Sequence, residues 1–246
     1  MNLWGKKTLV VIIPAYNEEL TISKVIKNVP LFSDLDEEII VTDDGNQDFT
    51  ADMAKKAGAI IIPNKINLGL GKSFRVGLEY WLKNKADIIV ILDADGQYNS
   101  KEIKRLICPI LSNKADLMMG NRFISSNTTY QGNSIRKIGN IVLSIFVSKM
   151  LLKLNNIYDV QCSFRAFNRK LGEILKRQLL AKYNYAQEMF SISCSSGFTV
   201  KQTPIDCYDR ISGKSKLIKV SVIHVLRIIW ISLRTLLKMK ILSIRR

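Results

Sequence analysis

Short apolar runs punctuate the first half of the chain, and polar clusters follow three of them directly. Leu9-Val10-Val11-Ile12-Ile13 and Ile88-Ile89-Val90-Ile91-Leu92 show no alternation, as expected of strands covered on both faces. Runs of this kind predict strands over 8–14, 38–43, 59–63, 87–93 and 116–120. Helical spacing between them predicts helices over 18–28, 50–57, 72–84 and 100–112, the last with Ser100 as its N-cap. Strands alternating with helices imply βαβ units and a mainly parallel sheet, an α/β fold of Rossmann-like kind. Tyr16-Asn17-Glu18, Asp43-Asp44-Gly45 and Asp93-Ala94-Asp95 each close a strand. In open α/β sheets ligands bind beyond the carboxyl ends of the strands. Three separate segments therefore send polar residues to one edge.

The second half has a different pattern. Residues 125–133 are polar and turn-rich and read as a mobile loop. A long apolar helix is predicted over 136–152, then a strand over 162–167, a helix over 184–195 and a strand over 199–208. Arg210-Ile211-Ser212-Gly213-Lys214-Ser215-Lys216 is basic and reads as flexible. In the final helix, at roughly 100° per residue counted from Lys219, Lys216, Arg227, Arg234, Lys238 and Arg245 share one narrow stripe. Ile218, Val222, Val225, Ile229, Leu233 and Leu236 fill another. Charge interrupts this helix too often for it to span a bilayer. It suits a helix lying in a membrane interface, with Trp230 compatible as an anchor; the alternative is a helix packed on the domain with a solvated basic edge. The expected division is a catalytic domain over 1–216, with halves at about 1–122 and 123–216, followed by a basic amphipathic helix and tail over 217–246.

Charge narrows the partners. The 246 residues carry 37 Lys and Arg against 21 Asp and Glu, a formal net charge of +16. Such a surface favours nucleic acid, anionic lipid headgroups or phosphorylated substrates. No helix-turn-helix, RNP or zinc-finger pattern is present, which leaves nucleic acid unsupported. Cys108, Cys162, Cys194 and Cys207 form no CxxC pair, which argues against a disulfide framework or a zinc site and fits a reducing compartment. Lys6 and Lys7 before an apolar run imitate a signal peptide, but Asn17-Glu18-Glu19 follows at once, so a cytosolic N-terminus is expected.

Three short motifs carry candidate chemistry, each weak alone. Asp93-Ala94-Asp95-Gly96-Gln97 puts two carboxylates on a turn where they can face one hard cation. Mg²⁺ takes one or two carboxylates and leaves its other positions to water and substrate phosphates. A metal-bridged pyrophosphate is a good leaving group. A carboxylate in Asp43-Asp44-Gly45 can accept from a base edge or a ribose hydroxyl, or can simply serve a turn, with Asp48 capping the next helix. Asn67-Leu68-Gly69-Leu70-Gly71-Lys72 opens a helix with glycines that allow close approach of a phosphate or ribose.

Their order along the chain is specific. Pro14-Ala15-Tyr16-Asn17-Glu18-Glu19, Asp43-Asp44-Gly45 with Asp48, the Asn67–Lys72 block, Asp93-Ala94-Asp95-Gly96-Gln97 and Gly120-Asn121-Arg122 together resemble the inverting glycosyltransferases of family 2, which have the GT-A type of fold. Asp159-Val160-Gln161-Cys162-Ser163-Phe164-Arg165-Ala166-Phe167 and the 210–216 block resemble the polyprenyl-phosphate branch, which includes dolichyl-phosphate mannose and glucose transferases. The resemblance covers roughly residues 8–240. It implies transfer of a hexose, mannose or glucose, from GDP-mannose or a UDP-sugar such as UDP-glucose to a polyprenyl or dolichyl phosphate at the cytoplasmic membrane face. Transfer to a saccharide hydroxyl remains the alternative. The resemblance places Pro14, Tyr16, Glu18, Asp43, Asp44, Gly71, Lys72, Asp93 and Ala94 on the nucleotide sugar. It gives Asp95 and Gln97 to Mg²⁺ or Mn²⁺, and Arg122, Arg136, Asn140, Ser215 and Lys216 to the acceptor phosphate. Asp95, Asp159, Gln161 and Arg210 fall at the catalytic centre. Two positions depart from the family: Asn46 stands where Ser is usual, and Ser163 where Gly is usual. A phosphate monoester is already anionic at neutral pH, which fits a chain whose single His, His224, lies on the terminal helix.

Overall fold

The computed structural model describes residues 6–83, 86–124, 128–132, 134–152, 154, 156–181, 184–210 and 222–244. Strand β1 (Lys7–Ala15) shows why its apolar run has no gaps. Leu9, Val11 and Ile13 face one layer, while Val10 and Ile12 face the other, and water reaches none of them. The first layer is closed by helices α1 (Ile22–Lys27), α2 (Thr50–Lys56) and α4 (Ile103–Leu111). The second is closed by α3 (Leu70–Lys83), α6 (Arg169–Gln178), α7 (Tyr185–Ser195) and α8 (Val222–Ile244). A central strand in such a three-layer sandwich has no polar face to show.

The remaining strands are β2 (Leu35–Asp43), β3 (Ile60–Pro63), β4 (Ile88–Ile91), β5 (Leu117–Asn121), β6 (Arg165–Asn168) and β7 (Val200–Pro204). Among the described residues the sheet runs β3-β2-β1-β4-β6-β5-β7. All neighbours are parallel except β6, which lies antiparallel between β4 and β5 with Arg165 opposite Ile91 and Met119. Between β1 and β4 the chain order changes direction, with β2 and β3 lying on the far side of β1. That leaves a crevice at the carboxyl ends of β1 and β4.

The expected elements of the first half are present, with shifted ends. The first helix begins only at Ile22, because Tyr16 to Leu20 form the turns of the site. Strand β4 stops at Ile91, so Asp93 stands beyond it. Asn99, rather than Ser100, caps the helix at 100–112: its side chain accepts from the Lys101 N–H, while the Ser100 hydroxyl donates to the carbonyl of Val25. The long helix begins at Ser134 as α5 (Ser134–Ile145) and widens to a π-helix over Phe146–Leu151. Helix α6 was not expected. Its apolar residues are sparse, yet Leu171 and Leu175 are fully buried. The loop expected to be mobile is pinned where it is described: Cys207 donates to the Thr129 carbonyl at 2.8 Å and accepts from the Gln131 N–H at 3.0 Å.

Helix α3 meets the sheet through Gly77. A Cβ there would lie 2.7 Å from Ile12 Cγ2 and 3.0 Å from Thr42 Cγ2. Gly77→Val should therefore destabilise the protein by about 1–3 kcal/mol through overpacking, read as a lower urea midpoint with an unchanged slope.

Candidate active site

The turns beyond β1 and β2 are clasped together. Asn17 adopts a left-handed conformation (φ 53). Its N–H donates to Asn46 Oδ1, and its own Oδ1 accepts from the Gln47 N–H at 2.9 Å. Asn46 thus keeps a polar bridging role where the family has Ser. Gly45 has φ +78, and a Cβ there would stand 2.8 Å from the Asn67 nitrogen. Glycine is the residue that tolerates both the conformation and the approach. Asp43 Oδ1 accepts the N–H groups of Gly45 and Asn46 and so builds the turn itself. Asp48 accepts from the Thr50 N–H at the start of α2.

Asp44 reaches across to the third loop. Its two oxygens accept from the N–H groups of Leu68 at 2.8 Å and Gly69 at 2.9 Å, and from Asn64 Nδ2 at 3.2 Å. A buried carboxylate satisfied by backbone donors fixes the entry into α3. Thr21, fully buried, donates to the Ala94 carbonyl at 2.7 Å and joins the start of α1 to the Asp93–Asp95 turn.

These loops enclose a cleft of about 400 Å³ lined by Pro14, Ala15, Tyr16, Glu18, Asp44, Asn67, Gly69, Leu70, Ser73, Asp93, Ala94, Asp95 and Arg210. Its size is ordinary for a small-molecule site. Asp95 is 4% exposed. Its Oδ1 accepts from the Gln97 N–H, and its Oδ2 pairs with Arg210 Nη2 at 2.7 Å. Arg210 also faces Glu18 at 3.5 Å. Asp93 Oδ2 accepts from the Ser163 hydroxyl, while its Oδ1 is out of solvent with no hydrogen-bond partner among the described residues. Burial, and then the neighbouring Asp95, push the Asp93 carboxyl up to about 7.

Beyond the cleft lies a buried ion pair. Arg122 donates from Nε to Asp159 Oδ2 at 2.7 Å and from Nη2 to Asp159 Oδ1 at 2.8 Å. Asp159 is fully buried, Arg122 14% exposed. Burial opposes the Arg122 charge, but Asp159 outweighs it and holds the guanidinium above its ordinary value. The pair uses the Nε and Nη2 edge, so the Nη1 edge takes no part in it. Phe123 packs under Arg122 at 5.0 Å, and Lys137 of α5 lies 6.0 Å from the same ring.

The family described as "Glycosyl transferase family 2" matches residues 10–175. The chain belongs to glycosyl transferase family 2. A dolichyl-phosphate N-acetylglucosaminyltransferase of Methanococcus voltae that uses UDP-N-acetylglucosamine is 30% identical, over 81% of this chain and 85% of its own. A polyprenol monophosphomannose synthase of Mycolicibacterium smegmatis is 27% identical, over 86% and 81%. Glucosyl-3-phosphoglycerate synthase from Mycobacterium tuberculosis, solved with Mn²⁺, uridine diphosphate and glucosyl-3-phosphoglycerate, superposes with TM-score 0.68 at 18% identity, over 95% of this chain and 80% of that one. This likeness shows the GT-A type of fold.

In this family 2 glycosyltransferase, most of the expected donor residues meet in one cleft: Pro14, Tyr16, Glu18, Asp44, Asp93 and Ala94, with Asp95 and Arg210. Asp43, Gly71 and Lys72 do not line it. Asp43 serves its own turn, Gly71 is buried in the first turn of α3, and Lys72 points to solvent. Asn67, Gly69 and Leu70 of the helix-opening block, and Ser73 just after it, line it instead. Gln97 sits beside Asp95, its Nε2 donating to the Tyr208 carbonyl at 3.2 Å. Gln161 lies near Asp159 and donates to Gln187. Arg136 and Asn140 are one turn apart on α5; Asn140 is half-buried, and the Arg136 side chain lies outside the described part, as do Ser215 and Lys216. Lys137 was missed. No sequence pattern marks it, because only the fold brings Phe123 beneath it. Asp159→Ala should strand the Arg122 charge and lower stability by about 3–5 kcal/mol, measured by urea denaturation.

Proposed function

We propose that this glycosyltransferase moves a sugar from a nucleotide sugar to a polyprenyl phosphate at a membrane surface. The names of the Methanococcus and Mycolicibacterium relatives support that acceptor class. The observation that carries the reading is the face of α5 and its π-helical continuation. Ile138, Val142, Ile145 and Phe146 are exposed along one side, on the helix whose first turns bear Arg136, Lys137 and Asn140, with Lys137 sharing the Phe123 ring with Arg122. A cationic end and an apolar side suit a phosphate headgroup attached to an apolar chain.

The second support is α8. Leu226, Trp230, Leu233 and Leu237 are exposed, Trp230 at 63%, and Arg227 beside them is exposed too. The buried face is Ile228, Ile231, Ser232 and Thr235, with Ser232 bonded to α7. Of the apolar stripe expected from sequence, Ile229 and Leu236 are half-buried and Leu233 is exposed, while Ile218 and the Val222 and Val225 side chains lie outside the described residues, as do Lys216, Arg245 and the Lys238 side chain of the expected basic stripe. No described helix is long and apolar enough to cross a membrane. An exposed apolar stripe beside basic residues on a chain of net charge +16 fits an anionic lipid surface.

The donor would lie in the cleft between Asp44, Glu18 and Asp93, its diphosphate toward Asp95 and Arg210. Mg²⁺ or Mn²⁺ fits the donor set. Asp95 offers a buried carboxylate that already attracts a cation, the Arg210 guanidinium, and Gln97 offers an amide oxygen not used in its bond to Tyr208. Among the described residues no three His, Cys, Asp or Glu side chains converge to hold a metal ion by themselves, so the ion would take its remaining ligands from the diphosphate and water. When bound, it neutralises charge on the departing nucleotide. Arg122, held by Asp159, would orient the acceptor phosphate, whose oxygen attacks C1 directly and inverts it. A nucleophile already anionic needs alignment more than a general base.

The test incubates the protein with vesicles containing polyprenyl phosphate, Mg²⁺ and labelled GDP-mannose, UDP-glucose or UDP-N-acetylglucosamine in parallel. Label extracted into organic solvent in one lane is the expected result and names the donor. Label on a water-soluble saccharide alone would move the assignment to a hydroxyl acceptor. Asp95→Ala should lose the metal-dependent turnover in the same assay; full activity would sink the metal assignment. Trp230→Glu with Leu237→Glu should weaken binding to anionic vesicles at least tenfold in a flotation assay, since each removes an apolar contact and adds a repelled charge.

A further inference from the structure

Alternate residues of the segment 159–163 reach in three directions. Asp159 holds Arg122. Ser163 donates to Asp93. Gln161, between them, donates from Nε2 to Gln187 Oε1 at 3.1 Å. Gln187 stands in the first turn of α7 and is fully buried. Its own Nε2 donates to Ser232 Oγ of α8 at 2.9 Å and to Ser191 Oγ at 3.4 Å, and Ser232 donates to the Ile228 carbonyl at 3.0 Å. An unbroken line of hydrogen bonds thus joins the helix with the exposed apolar stripe to the segment that carries Asp159 and Ser163.

The next residue of α7 reinforces the seam. Glu188 is 2% exposed, and its carboxylate accepts from Arg234 of α8 at 2.6 Å and from the N–H groups of Leu180 and Ala181. A purely apolar helix contact tolerates small slips. A buried amide satisfied at both ends does not, because a slip leaves polar atoms unpaired away from water. The seating of α8 is therefore fixed relative to Gln161.

We propose that Gln187 is a positioning residue that ties the seating of α8 to the acceptor side of the site. This rests on the acceptor reading above. The donor side has its own supports: Asp95 is held by the Gln97 N–H and Arg210, and Asp44 by the loop before α3. Arg122 depends on Asp159, which lies two residues from Gln161 in a segment held by Arg165, Ser144 and Gln202 and tied to α8 through Gln187. Asp93 shares the segment through Ser163, but Glu18, Asp44, Asp95 and Arg210 do not depend on it, so loosening the relay should fall far more on the acceptor than on the donor.

The experiment uses the whole chain with polyprenyl phosphate in vesicles. Ser232→Ala removes only the α8 end of the relay and keeps the apolar contacts. It should raise the acceptor KM about fivefold, the effect of one lost hydrogen bond, with a much smaller rise in donor KM and a thermal midpoint lowered by no more than about 2–4 °C. Ser232→Thr, which keeps the hydroxyl, should restore the wild-type KM. An unchanged acceptor KM, an equal rise in donor KM, or no recovery with Thr overturns the proposal. The side-chain amide resonance of Gln161, assigned through Gln161→Asn, should also shift in Ser232→Ala, and an unmoved signal overturns the relay. If wild-type protein makes no lipid product, the acceptor reading fails on its own, and the resonance still decides whether α8 and Gln161 are linked.

Discussion

One guanidinium organises the centre of this enzyme. Arg165 is fully buried, and its Nε, Nη1 and Nη2 donate to the carbonyls of Cys162, Ala186 and Val160 at 2.7, 2.6 and 2.8 Å. Burial lowers its pKa, and the three charge-assisted bonds are what make a buried cation tolerable. They join the sheet, the segment 159–163 and the first turn of α7 at one point. Each carbonyl depends on it in turn, since an unpaired buried carbonyl costs about 1–3 kcal/mol. The antiparallel strand β6 delivers Arg165 to that point by entering the sheet between β4 and β5.

From that point outward the site is a balance of charge. Glu18, Asp44, Asp93 and Asp95 gather at the edge of the sheet, where burial and proximity raise the Asp93 carboxyl. Arg210 stands on Asp95 and Arg122 on Asp159. Such an edge suits a ligand that is itself mixed in charge, as the proposed diphosphate with its cation would be. Arg122 has a second function available because Asp159 uses only one edge of its fork.

The two helices bearing exposed apolar residues are not equivalent. Helix α5 runs close to Arg122 through Phe123 and Lys137. Helix α8 is farther along the chain but is bound to α7 by polar groups, with Ser232 and Thr235 in place of large apolar residues. Polar seams of this kind set register more narrowly than apolar ones. Ile228 and Ile231 are apolar on the buried side of α8, yet Leu226, Trp230, Leu233 and Leu237 add an outward apolar face that a helix merely packed on its domain does not need.

The sequence by itself determined the layers and the edge. Unbroken apolar runs fixed five strands, and the polar clusters after three of them located the cleft, because both depend on local pattern and on a rule that holds for every open α/β sheet. It determined the family as well, through blocks whose order is as informative as their content. Tertiary structure decided what each polar residue does. Asp43 and Asp44 are adjacent, yet one builds its own turn and the other holds a loop twenty-odd residues away. The antiparallel placement of β6, the role of Arg165 and the line from Gln161 through Gln187 to Ser232 join residues far apart in the chain. No periodicity marks them, because a hydrogen bond across the fold depends on where two backbones come together rather than on the spacing within either.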